Sequence, residues 1–182
     1  KGADMWKVTD YSKSAGKHTF MVQPGKFPIN VAGVPALKWF SADRAYFISG
    51  TNVVTGFLNE EDKWQWTLAA ELPAKADNIT VDAGGAIAYT IDNNLYVQEP
   101  NKRKQHAVTD EHDKNIISGK AVHRDEFGID RGIFFSPDGK YVAYYRMDQT
   151  MVNDYPISRW GTTPATADVI KYPMAGGVSH EV

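Results

Sequence analysis

The chain has no cysteine, which excludes disulfide staples, thiolate metal sites and a thiol nucleophile, and fits either a reducing compartment or a bacterial envelope protein without bridges. It has no apolar run approaching the ~20 residues of a membrane helix, since stretches such as Val31 to Leu37 are short and broken by Gly or Pro. Neither charge sign prevails: 20 Lys and Arg stand against 22 Asp and Glu, a net charge of −2, with no basic arm or acidic tail. A general electrostatic grip on nucleic acid or acidic membrane is thereby disfavoured. No initiator Met or apolar signal core opens the chain at Lys1-Gly2-Ala3, so a processed protein or a piece of something longer is expected.

A sustained helical period is missing too. Runs of β-branched and aromatic residues are instead bounded by turn residues, and 24 Gly and Pro are spread through a chain with five Trp and nine Tyr. That mixture predicts many short strands. The clearest unit is FFSPDGKYVAYYR from Phe134 to Arg146, in which Pro137 presets φ, Asp138 bonds its own backbone and Gly139 accepts positive φ, making a hairpin. In its second strand Tyr141, Ala143 and Tyr145 alternate with Val142 and Tyr144, so apolar bulk on both faces predicts burial between layers.

Related units lie upstream: LKWFSADRAYFI from Leu37, with Ser41-Ala42-Asp43 in the place of Ser136-Pro137-Asp138, and VDAGGAIAY from Val81, with a Gly84-Gly85 turn. Ser41 to Asp82 is 41 residues and Asp82 to Ser136 is 54, both near the ~40 to 50 of a four-stranded propeller blade. The second interval is longer by one inserted loop. Further strand-turn-strand elements are expected at Tyr11 to Met21 and at Asn93-Asn94 before Leu95. The expectation is an all-β chain, a partial β-propeller of about three antiparallel blades, where a closed propeller has about four to eight. An ordinary β-sandwich with a chance repeat is the competing architecture.

Between Gln98 and Gly132 the pattern breaks into EPNKRKQHAVTDEHDKNIISGKAVHRDEFGID. Loops this long carry structure or function. Ile116-Ile117 before Ser118-Gly119 reads as a short strand ending in a turn. Residues 121–131 then hold His123, Arg124, Asp125, Glu126 and Asp130 around one Phe127, a density of ionisable groups that an inter-blade strand could not bury unpaired. An irregular or short helical insertion facing solvent or a cavity is predicted there.

The run VTDEHDKNIISGKAVHRDEFGIDRGIFFSPDGKYVAYYRMD, together with IDNNLYV from Ile91 and the C-terminal IKYPMAGGVSHEV, resembles the N-terminal β-propeller of bacterial prolyl dipeptidyl and tripeptidyl peptidases, the dipeptidyl peptidase IV-like members of the prolyl oligopeptidase clan. The resemblance is strong over about residues 85 to 182 and weak before 35. It implies that residues 1–182 are a partial N-terminal propeller domain of a periplasmic, envelope or secreted exopeptidase. Short N-terminal peptides ending in proline would be released by a Ser-Asp-His triad on a C-terminal α/β-hydrolase domain. No G-x-S-x-G elbow occurs in these 182 residues, so the chain alone is expected not to hydrolyse anything. No cofactor, nucleic acid or membrane span is implied; the partners are a peptide with a free N-terminus, the hydrolase domain and, for the parent, a second copy in a homodimer.

An exopeptidase must hold the peptide's α-amine, with pKa ~8 and largely protonated at neutral pH, at a fixed distance from its nucleophile. The resemblance matches Asp125-Glu126-Phe127 to the family's acidic pair before Phe and so assigns substrate-amine binding to Glu126 and Asp125. Arg124, whose charge opposes an ammonium, is expected to face away or pair with Asp130. The family's dipeptidyl members carry two consecutive Glu; the shorter Asp125 departs from this pattern and points to tripeptide over dipeptide release. A noncatalytic propeller serving as a protein or carbohydrate platform in the envelope is the alternative.

Weaker signals have plainer readings. Five His form no metal-ligand pattern. Trp64 and Trp66 are expected in a core rather than on a ligand-stacking face. Asn78-Ile79-Thr80 is a chance glycosylation match, and Lys102-Arg103-Lys104 a solvated loop tip.

Overall fold

The computed structural model describes residues 6–10, 18–22 and 25–182, apart from 34, 62, 101, 103 and 123–126. Apart from a 3₁₀ turn at 127–128, the elements among the described residues are strands: β1 Trp6–Asp10, β2 His18–Val22, β3 Lys38–Ser41, β4 Arg44–Ser49, β5 Asn52–Leu58, β6 Trp64–Glu71, β7 Asp77–Val81, β8 Ile87–Ile91, β9 Asn94–Gln98, β10 Gln105–Ala107, β11 Ile116–Ser118, β12 Ile133–Phe135, β13 Val142–Tyr144, β14 Arg146–Asp148, β15 Asp154–Arg159 and β16 Thr166–Lys171. All pairings are antiparallel. β1 and β2 form the expected hairpin; its connecting residues 11–17 lie outside the described ones.

Two four-stranded meanders, β3-β4-β5-β6 and β7-β8-β9-β10, are the first complete units. Their turns follow from local chemistry. Ser41 and Ser136 each donate their hydroxyl to an aspartate two positions on, Asp43 at 2.6 Å and Asp138 at 2.7 Å, so the two turns are built alike. The Ser136 bond and the Lys140 backbone N–H hold the Asp138 carboxyl below the ordinary aspartate range. Gly85 takes φ +91° while Asp82 accepts the Ala86 N–H, and the β8–β9 turn is Asp92-Asn93, with Asp92 at φ +53° and Asn94 already in the strand.

Side chains alternate along each strand, and the sheets stack on the alternation. On β4, Ala45 and Phe47 join Val54, Trp64 and Trp66 in one cluster, while Tyr46 faces the other way and joins Val53, Leu72, Val81, Ile87 and Tyr89 between the two meanders. On β8, Tyr89 serves that cluster and Ala88 the next, with Leu95, Ile133, Val97, Phe135, Val142 and Tyr144. Meander, meander and third unit thus lie face on face, as in part of a propeller and not in a two-sheet sandwich. Trp64 and Trp66 stack at 5.1 Å in the first cluster, buried as expected.

One face departs from expectation. Val142 and Tyr144 pack inward, but Tyr141 is 73% exposed and Ala143 is exposed. Apolar residues on both faces mark a strand that a sheet could cover twice; here the second face is open at Tyr141 and Ala143, whereas Tyr145 is half-buried, with its ring 5.4 Å from that of Phe134 and edge to face. The β15–β16 hairpin is likewise solvated along β15.

Candidate charged excursion

The third unit turns on one backbone register. β11 pairs with β14 so that Ser118 faces Arg146 and Ile116 faces Asp148; β12 pairs with β13 so that Ile133 faces Tyr144 and Phe135 faces Val142. Between the two ladders stands Tyr145. Its carbonyl accepts the Gly119 N–H at 2.8 Å, and its own N–H donates to the Gly132 carbonyl at 3.0 Å. In an antiparallel ladder one residue normally makes both bonds. Here two glycines, 13 positions apart, together take the place of one strand residue. β11 and β12 are therefore two halves of a single strand, from which residues 120–131 leave and to which they return at the same point. The excess of 13 in the second repeat interval over the first matches this offset.

Only glycine suits either position. Gly119 has φ +77°, and an added Cβ would meet Thr90 Cγ2 at 3.0 Å, Ile133 Cγ1 at 3.2 Å and Leu95 Cδ1 at 3.3 Å. A Cβ on Gly132 would overlap the Lys120 carbonyl. The base is otherwise secured by apolar and ionic contacts. Val122 is 3% exposed, and the Arg131 guanidinium lies 5.1 Å from the Phe134 ring centroid. Arg131 is also close enough to Tyr46 to oppose, in part, the burial that raises the Tyr46 pKa. On the facing strand, Arg146 Nε donates to Glu111 Oε1 at 2.7 Å, which raises the guanidinium pKa. Glu111 is tied to the second meander by two backbone bonds: its N–H donates to Asn94 Oδ1 and its carbonyl accepts from Asn94 Nδ2.

The described flanks, 121–122 and 127–131, are outside every strand, as predicted, with Phe127 at φ +58°, Gly128 at φ +72° and Phe127 87% exposed. Asp125 and Glu126, the predicted amine-binding pair, lie outside the described residues, as do His123 and Arg124, so the proposed Arg124–Asp130 pairing has no described geometry. Asp130 is exposed. No group of three His, Asp or Glu able to hold a metal occurs among the described residues. The Asn78 amide is used internally, donating to Thr90 Oγ1 at 2.8 Å. Sequence reasoning missed the glycine pair; the unequal repeat interval was the available signal.

Comparison with known proteins gives one consistent result. The family model described as "Dipeptidyl peptidase IV (DPP IV) N-terminal region" matches residues 63–182. Proteins named dipeptidyl-aminopeptidase B are similar: one from Talaromyces marneffei is 26% identical over 184 residues, 86% of this chain and 20% of that protein. One from Podospora anserina is 33% identical over 169 residues, 78% of this chain and 18% of that protein. A Bacteroides ovatus crystal structure described as a dipeptidyl aminopeptidase IV superposes with TM-score 0.58 at 35% identity, covering 78% of this chain and 19% of that one. Porphyromonas gingivalis dipeptidyl peptidase 4, at 19% identity and TM-score 0.55 over 79% of this chain and 20% of that one, shares the fold. The chain spans about a fifth of the length of these relatives.

Proposed function

Because this chain belongs to the dipeptidyl peptidase IV N-terminal region family, we propose that it is the noncatalytic propeller portion of a proline-specific serine exopeptidase. Its excursion binds the substrate's N-terminal ammonium through Glu126, with Asp125 assisting, and its blades restrict access to a hydrolase domain that follows in the parent protein. The observation that carries this reading is the interrupted strand. A blade that loops out a dozen residues rich in charge of both signs, and closes up behind them on two glycines, keeps those charges out of its strand ladder. An ammonium has three donors, and charge-assisted bonds to it are about twice as strong as neutral ones.

Di- or tripeptides ending in proline are the products on this reading. The names of the relatives support a two-residue count, whereas Asp125 in place of a second Glu supports three. A periplasmic or other envelope location, and a homodimeric parent, belong to the same proposal.

The test is kinetic, on the full-length protein. Glu126→Gln preserves shape and removes a charge-assisted bond of about 1.5 to 3 kcal/mol, so kcat/KM for free-amine peptides falls roughly 10- to 150-fold, mainly through KM. Asp125→Asn costs less. Unchanged kinetics in Glu126→Gln would remove the assigned role.

A further inference from the structure

We infer that Gly119 and Gly132 are positioning residues that set where the excursion stands, and with it the distance from the nucleophile at which the parent enzyme anchors a peptide's amine. The inference rests on the amine-binding reading above, but it concerns the base of the excursion and not its acids.

The argument begins with the shared partner. Tyr145 splits its two backbone hydrogen bonds between the glycines, so departure and return of residues 120–131 are both referred to one point on a strand. That strand is held on either side of the point: Tyr144 faces Ile133, which is 1% exposed, and Arg146 faces Ser118, which is fully buried. Ser118 in turn donates its N–H to the Asn93 carbonyl at 3.0 Å, fixing β11 to the second meander. The chain then has little freedom at its exit. Gly119 sits at positive φ with core atoms of Thr90, Ile133 and Leu95 around the place of a Cβ, and Gly132 is packed against the Lys120 carbonyl and the Gly119 backbone carbonyl carbon.

A side chain at either position must push the two limbs apart or rotate one of them. Such a movement shifts the points at which residues 120–131 leave the blade and return to it. A displacement of ~1 Å at a substrate-positioning group, made far from the chemistry, costs up to about 100-fold. Moving an anchor by the ~3.3 to 3.6 Å of one extended residue changes the number of residues counted.

The experiment uses the full-length enzyme with Gly119→Ala, Gly132→Val and, as a control, Gly139→Ala. Gly139 lies in the turn at the far end of the same hairpin, has φ +69°, and a Cβ there would overlap an Asp82 carboxylate oxygen, so this control loses stability without touching the excursion. Three quantities are measured: KM and kcat on free-amine Xaa-Pro and Xaa-Xaa-Pro substrates, the rate at which trypsin cleaves after Arg124, and the rate at which a small fluorophosphonate labels the catalytic serine. Gly119→Ala and Gly132→Val are expected to raise KM about 10- to 100-fold with kcat within about threefold, and to shift the ratio between the two substrates. Arg124 cleavage accelerates and serine labelling stays at the native rate, while Gly139→Ala keeps native KM, ratio and cleavage.

Native KM and native substrate ratio in both glycine variants, with Glu126→Gln impaired, would overturn the inference and leave amine binding intact. An equal KM rise in Gly139→Ala would also overturn it, since general destabilisation would then suffice. If Glu126→Gln is inert, the amine reading fails by itself, and the substrate ratio with the Arg124 cleavage rate still decides for or against the glycine pair.

Discussion

Ser118 shows how a single side chain in this structure departs from its ordinary role. It is fully buried, yet its Oγ has no hydrogen-bond partner among the described residues. A buried unsatisfied hydroxyl costs about 1 to 3 kcal/mol relative to an apolar group of similar size. Ser118→Ala is therefore expected to leave the thermal midpoint of the full-length protein unchanged or to raise it; a clear fall would show that the hydroxyl is satisfied. Residue type alone does not reveal this, because serine beside glycine reads equally well as a turn. Asn78 was legible in part. Its sequon match was visible in the sequence, but not the contact its amide makes, a hydrogen bond donated to Thr90 on the neighbouring strand.

At the scale of the element, the first meander depends on a close aromatic contact. Gly56 on β5 faces Trp66 on β6, and a Cβ on Gly56 would overlap the six-membered ring of Trp66. That ring also meets Phe27 at 5.3 Å and Phe47 at 5.5 Å edge to face, so it has little room to retreat. Gly56→Ala gains about 0.5 to 1 kcal/mol from strand entropy but loses about 1 to 3 kcal/mol to overpacking. A net loss of stability is expected in denaturant unfolding of the full-length protein, and Gly56→Ala at native stability would mean the ring yields freely. The hairpins themselves were legible, since Ser136-Pro137-Asp138-Gly139 and Asp82 to Ala86 contain their turn chemistry within five residues. The join of β11 to β12 was not. It is a register relation across 13 residues, and only Tyr145 on the opposite strand reveals it.

The two meanders and the third unit form a stack in which adjacent sheets share their cores, and this decides both what could be read and how the chain behaves. Repeat spacing pointed to stacked units, because intervals of 41 and 54 residues between similar turns each fit one supersecondary piece, the second with an inserted loop. Which outer faces are covered was not readable, because an apolar residue such as Tyr141 looks the same with or without a sheet above it. In the folded chain Tyr141 is 73%, Phe57 50%, Trp160 83% and Val169 63% exposed. Stacked units bury their faces only against neighbours, and apolar surface left open promotes association. Residues 1–182 in isolation are thus expected to self-associate. In multi-angle light scattering, the mass should rise above the 20.3 kDa of one chain with increasing concentration. Combined Tyr141→Ser, Trp160→Ser and Val169→Ser substitution should move it back towards that value, each site having too little burial for the change to disturb a core. A constant monomer mass across the concentration range would show that these faces are too small or too dispersed to associate.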